Sequence, residues 1–360
     1  MFVLDSHCDT PSQIHRLRDI SLDGDHSQVD FPKLRKGGVD GAFFAVYTPA
    51  SMTADEAYGY ACMLLDETKA CVAANHELAA LATSPEEAVS NKAKGLFSVF
   101  LGLENGSPLG KDISRLKEFY EKGIRYMTLC HSADNEICDS CASVSKRWNG
   151  LSPFGKEVIA EMNRLGMLID VSHISDKSFY DVLECSSKPV VATHSCCRAL
   201  ADHQRNMTDD MIRALAAAGG VIQINFYPVF LDDAFAATLN GSGIAADWSE
   251  AIEDEFIKDP ASASKRAAWY EVLDMLAALQ RPSYKRIADH IDHVVSLVGI
   301  DHVGLGSDFD GIGVTPSGME DVSCFYKLFD ELRLRGYSEA DIAKVASANF
   351  FRVFNEVLSV

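Results

Sequence analysis

Val3-Leu4-Asp5-Ser6-His7-Cys8-Asp9-Thr10-Pro11 is an apolar run that closes on two metal-type side chains at i and i+2. In a strand, i and i+2 point to the same face. His7 and Asp9 can therefore grip one ion from the end of a first strand, with Cys8 turned away. The pattern recurs down the chain: a short β-rich apolar run, a histidine or carboxylate, then a helix-like segment. Such alternation is the signature of βα units around a parallel sheet. The runs are 2–6, 41–47, 96–103, 125–130, 167–172, 190–193, 221–225 and 302–307. Their number predicts an α/β fold, a closed (β/α)8 TIM-like barrel, as one catalytic domain over residues 1–360.

Between the runs, 54–81 has helical periodicity throughout, with Met63, Leu64, Ala70, Cys71, Ala74 and Leu78 on one apolar side. Ser152-Pro153 opens another helix, Ser as N-cap and Pro at the first position, ending near Gly166. Ser338-Glu339-Ala340-Asp341 resembles a capping box before the last helix. The rhythm breaks at about 228–282, a long acidic segment with a flexible break at Asn240-Gly241-Ser242-Gly243. Because it follows the seventh run, it is expected over the barrel mouth as an insertion or lid.

The 360 residues are 47% hydrophobic and 24% charged, an ordinary globular mixture able to bury a large core. A net charge of −19 argues against nucleic acid and anionic membrane as partners, since both require clustered Lys and Arg. No apolar stretch is long enough to span a bilayer, and strand-like sequence at Phe2 leaves no room for a signal peptide. The ten cysteines then read as reduced thiols of a cytoplasmic protein. Cys138-Asp139-Ser140-Cys141 lacks the second pair that a structural zinc site needs, so these thiols, like Cys196 and Cys197, are read as incidental.

In a parallel barrel, side chains at the carboxyl ends of the strands converge on one mouth. The first run leads to His7 and Asp9, the third ends in Glu104, the fourth in His131, the fifth in His173, the sixth in His194 and the eighth in Asp308. The loop after the sixth carries Arg205. A lone histidine after an apolar strand is usually a hydrogen-bonded structural residue, but so many at the same end of successive strands point to a metal centre. Imidazole and carboxylate without thiolate fit zinc, with manganese, cobalt or iron open. Two ions a few Å apart need a shared ligand, and Glu104 can bridge them. A water between them would ionise near pH ~7, the apparatus of a hydrolase acting on an amide or ester.

Other candidates are read as scaffold. His290 and His293 lie at i and i+3 on a helix whose end feeds the eighth strand, so they belong toward the opposite face of the barrel. Asp170 differs in parity from His173 and is expected to face the helices as support. His15, His26, His76, His203 and His302 have no nameable partners.

Together these segments resemble the membrane dipeptidase (renal dipeptidase) family of zinc peptidases. The resemblance is carried by Asp5 through Pro11, Gly102-Leu103-Glu104-Asn105-Gly106, Leu129-Cys130-His131-Ser132, and Gly155 through His173. It continues with Thr193-His194-Ser195, Arg198-Ala199-Leu200, Arg205-Asn206, Gly219-Gly220-Val221 and Asp301 through Gly311. It runs nearly end to end with the motifs in order. It implies a barrel with two zinc ions, one held by His7, Asp9 and Glu104, the other by Glu104, His173 and His194. It further implies that His131 binds substrate and steadies the tetrahedral intermediate, and that Arg205 receives the substrate's terminal carboxylate. Asp308 would take a proton from the zinc-bridged water and pass it to the leaving amine. The implied substrates are dipeptides, often with a D-residue at the C-terminal position, and the implied assembly is a homodimer. The sequence departs from the family pattern at Asn105, where many members have Gly, and at Ser347-Ala348-Asn349, where Gly-Gly-Asn is usual. The 228–282 insertion has no close counterpart. Two further readings fit the same residues: an amidohydrolase-type N-acyl amino acid deacylase or lactonase, and a non-catalytic binding protein on a retained barrel.

Overall fold

The computed structural model describes residues 1–244 and 246–359, with side chains described throughout except at 246–250 and 254. Its sheet has nine parallel strands: β1 (Leu4–Cys8), β2 (Gly41–Tyr47), β3 (Ala79–Leu81), β4 (Phe97–Glu104), β5 (Ile124–Thr128), β6 (Leu168–Asp170), β7 (Val191–Ser195), β8 (Val221–Ile224) and β9 (Val303–Leu305). Eight of them run β1-β2-β4-β5-β6-β7-β8-β9 around a nearly closed TIM barrel, and β3 pairs only with β4. The ring is completed by a parallel bridge between Cys8 and Phe309. There Asp9 N donates to Phe309 O (2.8 Å) and Asp308 N to His7 O (3.0 Å). Closure therefore takes place where the first and last candidate site residues meet.

The eight expected runs are the eight barrel strands, though several are shorter than expected. The expected helix over 54–81 is corrected. It spans Ala54–Ala74, entered by a Thr53–Glu56 capping box, and stops at Asn75, whose Nδ2 donates to Cys71 O (2.9 Å). The alanine-rich remainder, which carries no β signal of its own, becomes β3 because the flank of β4 offers it a pairing partner. The other two helix signals hold. Ser152 caps Pro153–Leu165, with Gly166 in the left-handed region at its end (φ 75°). Ser338 and Asp341 do form a capping box, but of Glu339–Ala343, which the π-helical turn Lys344–Ala348 separates from the last helix, Asn349–Leu358.

Side chains alternate between two cores. Inward-pointing Leu4, Phe43, Phe100, Tyr126, Leu168, Val191 and Val221 pack on Phe350, Val353, Phe354 and Val357 of the helix Asn349–Leu358, which closes the amino end of the barrel. Each buried aromatic or branched side chain contributes roughly 1.5–3 kcal/mol. Outward-pointing residues such as Phe44, Val99, Met127 and Ile169 join the larger core under the surrounding helices. With this floor filled, the candidate site residues lie at the carboxyl ends of the strands.

The segment after β8 forms helices Pro228–Leu231, Asp233–Gly241, Ala246–Lys258 and Ala263–Ala277, so the break expected at Asn240–Gly243 separates two helices. They have a small core of their own, Phe235, Phe256, Trp269, Val272 and Leu276, joined by Val314 from beyond β9. They also reach the loop after β1: Glu253 Oε1 accepts from Arg16 Nη2 (2.8 Å), and Tyr270 stacks on His26 at 4.3 Å. Among the described residues no helix is long and apolar enough to cross a membrane.

His290 and His293 are scaffold, but higher in the barrel than expected. His290 Nδ1 accepts from Cys197 N (3.1 Å) and its Nε2 donates to Leu231 O (3.1 Å), joining the loops after β7 and β8. The C-terminal half of their helix, Lys285–Val298, feeds β9, whereas His290 occupies the half nearer the mouth. His293 Nε2 meets Asp209 Oδ1 at 2.8 Å. Burial lowers the His290 pKa from 6.5 to about 4, because the charged ring would lose its hydration. The unfolded chain thus takes up this proton first. The contribution of His290 is complete above about pH 6.5 and is lost as pH falls toward about 4, a loss of roughly 3 kcal/mol. Denaturation of wild type and His290→Gln across this window should show a shallower acid slope in the variant. Parallel slopes would contradict the assignment.

Candidate active site

Four strand ends, those of β1, β4, β6 and β7, bring the candidate metal ligands together. Glu104, the last residue of β4, is opposite Tyr47, the last of β2, so both point into the mouth. Glu104 Oε1 lies 3.2 Å from His173 Nε2 and 3.5 Å from His194 Nε2. Its Oε2 lies 3.5 Å from His7 Nε2, which is also 3.5 Å from Asp9 Oδ2. Among the described residues three groups have the geometry to hold a cation: His7, Asp9 and Glu104; Glu104, His173 and His194; and His7, His194 and Asp308. None contains a cysteine. Burial pushes up the thiols of Cys8, Cys130, Cys141, Cys196 and Cys197, which leaves them poor ligands and nucleophiles.

The outer ring nitrogens are already satisfied. His7 Nδ1 pairs with Tyr126 Oη at 2.8 Å, and His194 Nδ1 with Thr193 Oγ1 at 2.8 Å. Both imidazoles therefore present Nε2 inward, and His7 Nε2 is buried without a hydrogen-bond partner. The Nε2 atoms of His173 and His194 face each other at 2.8 Å. Burial, with the Arg205 charge nearby, holds both rings well below the usual histidine range, so they are neutral. At His7 burial also opposes the charge, but Glu104 and Asp9 outweigh it and push the ring well up. Burial and the Glu104 charge raise Asp9. Two crowded carboxylates, an orphaned buried nitrogen and two neutral imidazoles converge on one point, a donor set that fits divalent cations.

The remaining candidates line this centre. His131 lies against His173 with the rings tilted (4.2 Å) and meets Tyr47 edge-on (4.8 Å); its Nε2 is 3.8 Å from Glu104 Oε1 and its Nδ1 is buried without a hydrogen-bond partner among the described residues. Burial lowers its pKa to about 3. Asp308 Oδ1 lies 3.9 Å from His7 Nε2, and burial pushes its carboxyl up to about 6. Arg205 Nη2 donates to His194 O (3.0 Å) and Nη1 to Ser195 Oγ (3.4 Å), while its Nε is buried without a partner.

A family model described as Membrane dipeptidase (Peptidase family M19) matches residues 1–360. The chain belongs to the membrane dipeptidase family. Dipeptidase aclJ of Aspergillus oryzae is 32% identical over 357 residues, covering 96% of this chain and 74% of the relative. The probable dipeptidase PvdM from Pseudomonas aeruginosa superposes with a TM-score of 0.85 at 29% identity, covering 99% of this chain and 96% of that one. A metallo peptidase from Rhodobacter sphaeroides, solved with a phosphinate mimic of the dipeptide L-Ala-D-Ala, has the same fold. Its TM-score is 0.80 at 24% identity, covering 99% of both chains. Membership in this metallopeptidase family implies a metal cofactor and dipeptidase chemistry.

Several residues around this centre are not picked out by ligand type. Tyr47 obeys the strand-end rule that found Glu104, and Asn225 follows β8 in the same way. Asn105, the departure noted above, has φ 78°. It donates to Thr48 O (3.0 Å) and accepts from Ser107 N (3.1 Å) and Asn135 Nδ2 (3.2 Å), tying the Glu104 loop to the His131 loop. Its side chain thus supplies links that a glycine would lack. Asp170 is a correction: it points into the barrel, not toward the helices. Its carboxylate accepts from Thr128 Oγ1 (2.6 Å) and Thr193 Oγ1 (2.7 Å) on the flanking strands. The period-2 rule fails because β6 ends at Asp170 and His173 is left-handed (φ 70°).

Proposed function

We propose that this chain is a binuclear zinc dipeptidase that hydrolyses dipeptides, including those with a D-residue at the C-terminal position. The observation that carries the proposal is the Glu104 carboxylate, which has one oxygen beside His173 and His194 and the other beside His7. In this reading His7, Asp9 and Glu104 hold one Zn2+, and Glu104, His173 and His194 the other. When bound, the ions supply a water that ionises near neutral pH and polarise the scissile carbonyl.

The chain's own residues supply the rest. Arg205, buried with Nε to spare, pairs with the terminal carboxylate and so selects short substrates; a charged hydrogen bond of this kind is worth ~1.5–3 kcal/mol. His131, kept neutral by burial, donates to the oxyanion that develops at the carbonyl. An amine leaves poorly unless protonated. Asp308, with its carboxyl near 6, takes a proton from the attacking water and delivers it to that amine.

The same reading treats 1–360 as one catalytic domain with 228–282 as a lid, in keeping with the contacts of Glu253 and Tyr270 to the loop after β1. It places the protein in the cytoplasm, where its ten unpaired cysteines stay reduced, as a homodimer measurable by sedimentation.

The test is amino-acid release from L-Ala-L-Ala, L-Ala-D-Ala and N-acetyl-L-alanine by native, chelator-treated and zinc-reloaded protein. Cleavage of the dipeptides, lost on chelation and restored near two zinc per chain, is expected. Turnover that survives metal removal, or cleavage of N-acetyl-L-alanine alone, would sink the proposal.

A further inference from the structure

Asp308 is held in an uncommon way. It occupies the left-handed region (φ 64°) without being glycine, three residues beyond β9. Its backbone is fixed by Asp308 N donating to His7 O (3.0 Å) and Gly311 N donating to Asp308 O (3.1 Å). Its two carboxylate oxygens have different surroundings. Oδ1 is the one nearest His7 Nε2, at 3.9 Å. Oδ2 accepts a hydrogen bond from Asn225 Nδ2 at 2.8 Å, its one side-chain hydrogen bond among the described residues.

Asn225 can present its amide in only one sense. Its Oδ1 accepts from Tyr227 N at 2.6 Å, and a backbone N–H can only donate. Nδ2 is therefore the atom that faces Asp308. The residue is itself fully buried, with its backbone N donating to Ser195 O (3.2 Å) and its carbonyl accepting from Cys196 Sγ (3.2 Å). Both ends of the amide are engaged, so the donor is fixed before any substrate arrives.

We infer that Asn225 is a positioning residue for the reaction: it pins Oδ2 of Asp308 and leaves Oδ1 facing the candidate metal centre. This rests on the reading of Asp308 as the proton carrier. A carboxylate free to rotate about its side-chain bonds would spend part of its time with neither oxygen aimed at the water or the leaving amine. The loss falls on turnover and not on binding, because among the described residues no hydrogen bond joins the Asn225 side chain to Arg205, the residue proposed to hold the substrate carboxylate.

Asn225→Asp keeps the shape and the oxygen that accepts from Tyr227 N, but replaces the N–H donor with a carboxylate oxygen that repels Asp308. With zinc-loaded protein and L-Ala-D-Ala, kcat should fall about tenfold or more while KM stays within about threefold. Zinc content and melting temperature should stay near wild type. Asn225→Ala, which adds no charge, should lower kcat in the same way. In the Asp308→Asn background, adding Asn225→Asp should change the residual rate by less than about twofold, since there is no carboxylate left to position. Wild-type kcat in both Asn225 variants, or a loss that multiplies in full onto that of Asp308→Asn, overturns the inference. Wild-type turnover by Asp308→Asn alone overturns the parent reading instead, so the two failures are told apart.

Discussion

Glu104→Ala should lose its turnover and the two proposed zinc ions without losing its fold. Glu104 belongs to two of the three groups able to hold a cation, and its oxygens face His173 and His194 on one side and His7 on the other. Removing it leaves each group one carboxylate short. Turnover of L-Ala-D-Ala should fall by more than about 10³-fold, and zinc should drop well below two per chain by elemental analysis. In the metal-free protein two effects of Glu104 oppose each other: it crowds Asp9, whose carboxyl it raises, and it holds the charge on His7, so the metal-free variant should melt close to the metal-free parent. Glu104→Gln keeps the shape and loses the charge, so it should retain more metal than the alanine variant. Full zinc content and full activity in Glu104→Ala would remove the basis of the proposed centre.

Asp170→Ala should have the largest effect on stability. Its buried carboxylate accepts four hydrogen bonds, from Ser172 N (3.0 Å), Thr193 N (2.9 Å), Thr128 Oγ1 (2.6 Å) and Thr193 Oγ1 (2.7 Å). Alanine strands two backbone donors and two hydroxyls where water cannot replace the carboxylate. Such losses cost about 3–5 kcal/mol. Because Thr193 Oγ1 also pairs with His194 Nδ1 (2.8 Å), the variant should bind zinc more weakly too. Urea denaturation of the metal-free protein reads the first effect and zinc titration the second. A stability change under about 1 kcal/mol would show that the carboxylate is not the node described.

The barrel was legible because its apolar runs are separated by helical stretches, and the site because ligand-type residues end those runs. The parts that escaped did so for physical reasons. Asp170 was assigned to the wrong face because parity counts only while the chain stays extended, and β6 ends there. The strand at Ala79–Leu81 was absorbed into a helix, since alanine favours helices and only the neighbouring strand makes it extended. Tyr47 ends its strand as Glu104 does and Asn225 follows its own directly, but phenol and amide are less usual ligands than imidazole and carboxylate, and the site partners of both residues, His131 and Asp308, are distant in sequence. His290 was read at the wrong height because a helix that feeds a strand's amino end begins near the mouth.

The floor formed by Asn349–Leu358 bears on how the protein is made. Leu4, Phe43 and Phe100 leave the ribosome early, whereas Phe350 and Phe354, which cover them, are translated after every barrel strand. Through most of the synthesis of these strands the inward aromatics have no cover, and a chain cut short before residue 349 lacks the side chains that fill the barrel's amino end. The nascent chain is thus exposed to chaperones and proteases until this helix emerges, although every residue of the candidate metal centre has by then been made.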